Sequence, residues 1–424
     1  MQRVLSFDDT PALSIPLRFM LTAPWFAAVA GALLLWNGAA ALETRWAGVT
    51  LALTHLMTLG FLAMTIAGAL LQMLPVVAGF AVPQARQVAT LSWLGLASGT
   101  PLLAAAFLTG LRPLFAAGAL ALGAALLVLI AAIGMALARR AGHGTLPMIA
   151  GIRLAIGGLA VGGVLGLALA GWLSGGPVVP FLMVVDLHSA WALLGCIGMM
   201  VVAVAFQVIV MFEATAIYPR TLSLALPSSV FLLLGAWSVG TWTHARWQHW
   251  AALGVAAALA LFAGASLVLL ARRKARTLHV TTMYWRLSLG SLLACSLLYA
   301  WPHRDADWRP LLLGILFIAG FAASAVNGML YRIVPFLLWY HLAAAGVPRS
   351  AVPGVNAWIA APCAKAQFWC HAAALAALTA ATIIPMLARP AGLLFMAGMA
   401  WLGTTLAQAA LRYRRALASG RERA

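Results

Sequence analysis

Histidines and acids that fall inside apolar stretches are the residues of this sequence best placed to do chemistry. The chain has 424 residues, of which only nine are His and eight are Asp or Glu. An ionisable group within such a stretch is costly and calls for a partner or a function. His55 lies in THLMTLGFLAM and His188 in DLHSAWALLG. Each stands roughly eight to ten residues into its apolar segment, about 12–15 Å along a helix, so the two are expected at one depth, in the outer half and at equivalent repeat positions. Two neutral imidazoles there suit haem iron or a copper ion. The competing explanation is a hydrogen bond from each ring to a neighbouring helix, and for either histidine taken alone it is the commoner one. Asp186 precedes His188 by two residues, a spacing that puts the side chains on different helix faces. It is read as a solvated helix end.

A second group collects at the opposite end of the same segments. Gln207, Met211 and Glu213 end one of them; Arg332 and His341 end another; Lys365, Cys370 and His371 begin a third. Glu213 and Arg332 are expected to pair. His341 and His371, with Cys363 or Cys370, form a weaker candidate metal pair, against the commoner case of interfacial histidines facing water. The sequence assigns no catalytic residue. It contains no phosphate-binding Walker loop, no dinucleotide fingerprint, no HExxH and no C-x-x-C-H for covalent haem.

The elements that must position these groups are membrane helices. Hydrophobic residues make up 64% of the chain and charged residues 8%, far below the roughly 25% charged residues of a soluble domain. Twelve spans are expected, near 20–41, 47–74, 88–110, 114–138, 152–173, 178–212, 224–242, 248–271, 282–301, 311–340, 366–388 and 391–411. No linker separates soluble domains, so residues 1–424 form one transmembrane domain. The net charge of +18 does not point to nucleic acid, because the positive residues sit between apolar runs and at the C-terminus. With both termini cytoplasmic, twenty of the 26 Lys and Arg fall inside. That asymmetry fits an even span count and a bacterial inner membrane, with the lipid bilayer as the partner composition names. A second copy of the chain or a respiratory partner stays open.

A weak internal repeat runs through the chain. Gly68 to Pro75 (GALLQMLP) resembles Gly328 to Pro335 (GMLYRIVP), and Ala203 to Val210 fits the same frame less well. Helices two, six and ten then correspond, with repeats over 1–145, 146–278 and 279–424, and Gln72, Gln207 and Arg332 occupy equivalent places.

At helices two and six the chain resembles the haem–copper oxidase superfamily, most nearly the NnrS family and the C-type oxidase branch. The resemblance implies an all-α polytopic fold of twelve helices in three four-helix arcs. His55 in THLMTLGF matches the low-spin haem ligand of the second helix, His188 in LHSAWALLG the copper ligand of the sixth, and MFEATAIYPRTLS the segment that follows it. The oxidases' H-x-H of helix ten falls here on Leu313 and Ile315, which cannot ligate iron, and the adjacent histidine pair of helix seven is replaced by the separated His244 and His249. The resemblance therefore implies haem b, copper or both, a link to respiratory or nitric oxide metabolism, and no complete oxygen reductase. Two other classes of function remain. One is a transporter or metal-handling permease with Met64, Met73, Met211, Glu213 and the inner histidines along its path. The other is an accessory protein using the helices as a scaffold.

Overall fold

In lipid a backbone must satisfy its polar groups internally, and a chain of continuous Leu-, Ala- and Val-rich runs can do so only as helices. The computed structural model describes residues 10–138, 145–274, 277–302, 306–348, 350 and 352–421. His143, His303, Arg3, Arg139, Arg140, Arg276, Arg304, Arg349 and Arg423 lie outside the described residues. Among the described residues there is no strand, and twelve long helices follow one another. They are α1 (Ser14–Asn37), α2 (Gly48–Val76), α3 (Ala85–Thr109), α4 (Arg112–Ala138), α5 (Leu146–Leu173), α6 (Phe181–Glu213), α7 (Arg220–Trp242), α8 (Gln248–Ala271), α9 (Val280–Ala300), α10 (Trp308–Ala344), α11 (Ala361–Ala381) and α12 (Ala388–Arg421). Ten of these are long and apolar enough to cross a membrane, so the chain is a multi-pass membrane protein. The other two are α9 and α11. Helix α3 stops at Gly110, whose N–H closes on the Ala106 carbonyl at 2.8 Å and whose φ of 72° turns the chain out of the helix.

Nine helices form a ring in the order α1, α3, α4, α5, α7, α8, α9, α11, α12, and α12 packs back on α1. Inside it stand α2, α6 and α10. Some 72% of the apolar stretch of each of these three is buried, against 28–50% in the other seven apolar helices. Each inner helix also opens into a π-helical segment, Leu56–Ala63, Trp191–Gly198 and Leu316–Ala323. These begin 135 and 125 residues apart, the same offsets that separate Gly68, Ala203 and Gly328. Through its π segment α10 meets both α2 and α6. Such segments concentrate at functional sites.

The small residues of the repeat mark where each inner helix meets the first helix of its set. A Cβ at Gly68 would come within 2.7 Å of Phe19 Cβ on α1, and one at Gly328 within 2.6 Å of Tyr284 Cβ on α9. On the middle helix the roles are exchanged: Ala203 carries the methyl and Gly151 of α5 makes the room, a Cβ there meeting Ala203 Cβ at 2.5 Å. Contacts this short let helices pack backbone to backbone. Gly328→Ala should therefore destabilise the protein by about 1–3 kcal/mol, the usual cost of an overpacked core. Unfolding in detergent by heat or denaturant measures it, and an unchanged midpoint would show that α9 and α10 can part freely.

Candidate functional site

His55 and His188 come together at one end of the inner helices. Each is the eighth residue of its helix, counted from Gly48 and from Phe181. Their ring centroids are 6.3 Å apart and the planes differ by 9°. Relative to the π segments they are not equivalent: His55 immediately precedes Leu56, whereas His188 stands three residues before Trp191. The position corresponding to His55 is Ala190 on α6 and Ile315 on α10, and that corresponding to His188 is Leu53 on α2 and Leu313 on α10. The equal depth follows from where the helices start, and the expectation of equivalent repeat positions is corrected by two residues.

Both rings are fixed by backbone carbonyls. His55 Nδ1 lies 2.8 Å from the Leu51 carbonyl oxygen on its own helix, and His188 Nδ1 lies 2.9 Å from the Gly162 carbonyl oxygen on α5. A carbonyl can only accept, so Nδ1 carries the proton and Nε2 keeps its lone pair in both rings. Metal-ligating histidines are oriented by a bond of this kind. The flanks are close-packed. Phe107 of α3 stacks on His55 with centroids 5.0 Å apart, and a Cβ at Gly166 of α5 would come within 2.8 Å of His188 Cε1. Asp186 takes no part; it accepts from Arg45 in the loop before α2 at 3.1 Å, with both side chains about 40% exposed (43% and 42%).

By donor type, two neutral imidazole nitrogens suit a metal ion such as copper. Bonds of about 2.0–2.1 Å on either side of an ion put two imidazole nitrogens roughly 4 Å apart. The apolar cavity between the inner helices lies towards the other end, lined by Ile66, Met73, Met200, Val204, Met329 and Ile333 among others. It touches neither imidazole, and its volume of about 70 Å³ compares with roughly 300–1,000 Å³ for a ligand pocket. No cluster of three or more His, Cys, Asp or Glu stands ready for a metal among the described residues, so the histidine pair offers two donors.

The second group separates into two places. Glu213, 1% exposed, pairs with Arg273 at the end of α8, at 3.4 Å, and accepts a hydrogen bond from the Thr282 hydroxyl of α9. This corrects the expected Glu213–Arg332 pair. Arg273 sits in a basic run, RRK, that reads in the sequence as a solvated loop. Arg332 is half-buried with Nε unpartnered. Gln72 is buried with Oε1 unpartnered, while Gln207 is half-buried and Met211 exposed.

His341 and His371 are not brought together. His371 is buried on α11 against Ser324 and Asn327 of α10, at 2.9 and 3.4 Å. His341 lies fourteen residues beyond Asn327 on α10, about 21 Å along the helix. The candidate inner metal pair is therefore withdrawn. His371 instead belongs to a buried polar cluster that sequence reasoning missed. Gln367 Oε1 accepts from the hydroxyls of Tyr284 and Tyr331, and Gln367 Nε2 donates to the Gly398 carbonyl at 2.9 Å. The signal was Ser324, Asn327 and Gln367 standing in otherwise apolar segments. Gln367→Leu takes the shared acceptor from two buried hydroxyls, of which Tyr284 keeps Asn327, while the Gly398 carbonyl keeps its place in the α12 ladder. With the Tyr331 hydroxyl left unsatisfied at about 1–3 kcal/mol, the unfolding free energy in detergent should fall by that amount, and an unchanged value would mean water replaces the amide.

Compared with known proteins, the chain matches no family model and no curated protein.

Proposed function

We propose that this chain is a twelve-helix inner-membrane protein of the haem–copper oxidase type, nearest the NnrS family, that holds one copper ion between His55 and His188. The observation that carries the reading is the pair itself: parallel imidazoles 6.3 Å apart, each with Nδ1 on a backbone carbonyl and Nε2 left free. The architecture supports it, since three inner helices with corresponding π segments stand inside nine outer ones, as three four-helix repeats would place them. In this reading α9 and α11 also cross the membrane, and both termini are cytoplasmic.

Imidazole suits copper, and a bound copper ion would supply one-electron chemistry and an open position for a small ligand such as nitric oxide. The protein's own part is orientation and exclusion. Leu51 and Gly162 set the ring tautomers, Phe107 and Gly166 hold the rings in place, and the Arg45–Asp186 pair covers the end of the bundle beside them. Leu313 and Ile315 provide no third or fourth nitrogen from α10. The function is accordingly copper binding linked to respiratory or nitric oxide metabolism, without oxygen reduction. Metal analysis and an absorption spectrum of the purified protein test it; stoichiometric copper without a haem band is the expected result, and protein that binds neither copper nor haem refutes it.

A further inference from the structure

We propose that the end of the bundle opposite the histidine pair binds a phosphate group, carried by a lipid headgroup or free in solution, between Arg332 and Lys365. Two cross-helix hydrogen bonds bring the relevant residues together. Thr281 donates to the Gly328 carbonyl at 3.2 Å, which sets the start of α9, with His279 before it, one helical turn from Arg332. Tyr331 donates to Gln367 at 3.1 Å, which holds the first turns of α11, with Lys365, against the stretch of α10 that carries Arg332, and the charges of both reach His279. Arg273 joins them through Thr282, to which it donates at 2.9 Å.

The charge at this place does not balance. Glu213 is the single acid at this end among the described residues, because Glu43, Asp186 and Asp307 all lie towards the other end. One carboxylate oxygen of Glu213 is taken by Arg273 and Thr282, the other has no hydrogen-bond partner, and its charge also acts on Arg332. Among the described residues this one acid stands against three cations, Arg273, Arg332 and Lys365, and Arg332 Nε has no hydrogen-bond partner although it is shielded from solvent. Two helix N-termini add to the positive field, since neither α9 nor α11 has a side-chain cap. The His279 ring registers that field: its burial, then Arg332, Lys365 and Arg273, push its pKa down to about 4, so it stays neutral at pH 7 and competes for no anion.

What this geometry recognises is an oxyanion with several acceptor oxygens. A guanidinium and an ammonium presented beside free backbone N–H groups match a phosphate. Lys365 is exposed and Arg332 half-buried, so the group would enter from the membrane surface with one side open. Basic pockets between helices at such a surface take phospholipid headgroups in the same way. This inference is independent of the copper reading, as the two sites share no residue.

The test uses full-length protein and two variants, Lys365→Gln and the double variant R332Q/K365Q. Arg332→Gln places on α10 the residue that stands at the matching position of α2 and α6, which keeps the fold. Thermal unfolding is followed in neutral detergent with inorganic phosphate against chloride at equal ionic strength, and in nanodiscs of phosphatidylglycerol against phosphatidylcholine. The native protein should be stabilised by one of the two. The apparent affinity should fall about fivefold in K365Q and roughly 25-fold in the double variant, taking about 1 kcal/mol for each cation lost. Stabilisation by inorganic phosphate identifies a soluble source, and stabilisation by phosphatidylglycerol alone identifies a lipid. Equal stabilisation of native and variant proteins, or none in either arm, overturns the proposal.

Discussion

Copper bound to the purified protein should fall to background when either His55 or His188 is replaced by Ala, while the variants still insert and fold. Among the described residues the two imidazoles are the nitrogen donors of the proposed site, and the corresponding positions of α10 are Leu313 and Ile315. Loss of a group that only hydrogen-bonds a ligand weakens a metal site about 10–100-fold; loss of one ligand of two leaves a single imidazole, which is no better than any exposed histidine. The effect should therefore be complete in each single variant, and H55A/H188A should add nothing further. Insertion should survive, since an alanine at either position removes a polar group from an apolar helix and a helix of this length needs only about 20 apolar residues. Metal content per chain, measured beside the absorption spectrum, decides the matter. Variants that keep full copper, or a native protein whose only bound metal is haem iron, would remove the pair from the account.

Much of this was legible in the sequence because a bilayer leaves the backbone so few options. Each of the twelve expected segments corresponds to a long helix among the described residues, ten of them apolar enough to cross a membrane, with limits shifted by up to ten residues. The expected 178–212 became Phe181–Glu213, and 366–388 became Ala361–Ala381, which begins earlier because Pro362 fits a first helical turn. The helices that fall outside the ten most apolar, α9 and α11, carry the polar residues of the buried cluster, Tyr284, Ser288, Gln367 and His371. Their reduced apolar character records a network, which a count of hydrophobic residues reads only as weakness. That His55 and His188 would meet was legible because rise per residue is fixed; their two-residue offset was not, because the π segments that define the register leave no mark in composition. Pairing was the least legible. Glu213 had cations to choose from on several helices, and which one it meets depends on how α6, α8 and α9 converge, which spacing along one chain does not encode.

That choice leads to the second large effect. Glu213 is 1% exposed and Arg273 8%, so their attraction is screened little and each is costly to leave alone. Arg273 Nη1 reaches Glu213 and the Thr282 hydroxyl, and Nη2 donates to the Thr277 carbonyl at 2.9 Å, so the guanidinium ties the end of α6 to the start of α9. Arg273→Ala strands a buried carboxylate, and Glu213→Ala strands a buried guanidinium. Each should cost about 3–5 kcal/mol of stability, the usual result of removing one partner from a buried pair. The double variant E213A/R273A should cost clearly less than the sum, since no charge is then left unpaired, and the coupling energy from the cycle should be about 1–3 kcal/mol. Arg332→Ala gives the control. Its guanidinium is not hydrogen-bonded to Glu213, so its coupling to E213A should be the smaller of the two. Unfolding in detergent, followed by tryptophan fluorescence, measures all four corners of each cycle. A larger coupling through Arg332 than through Arg273 would return Glu213 to the partner that the sequence first suggested and detach α8 from the inner helices at this end.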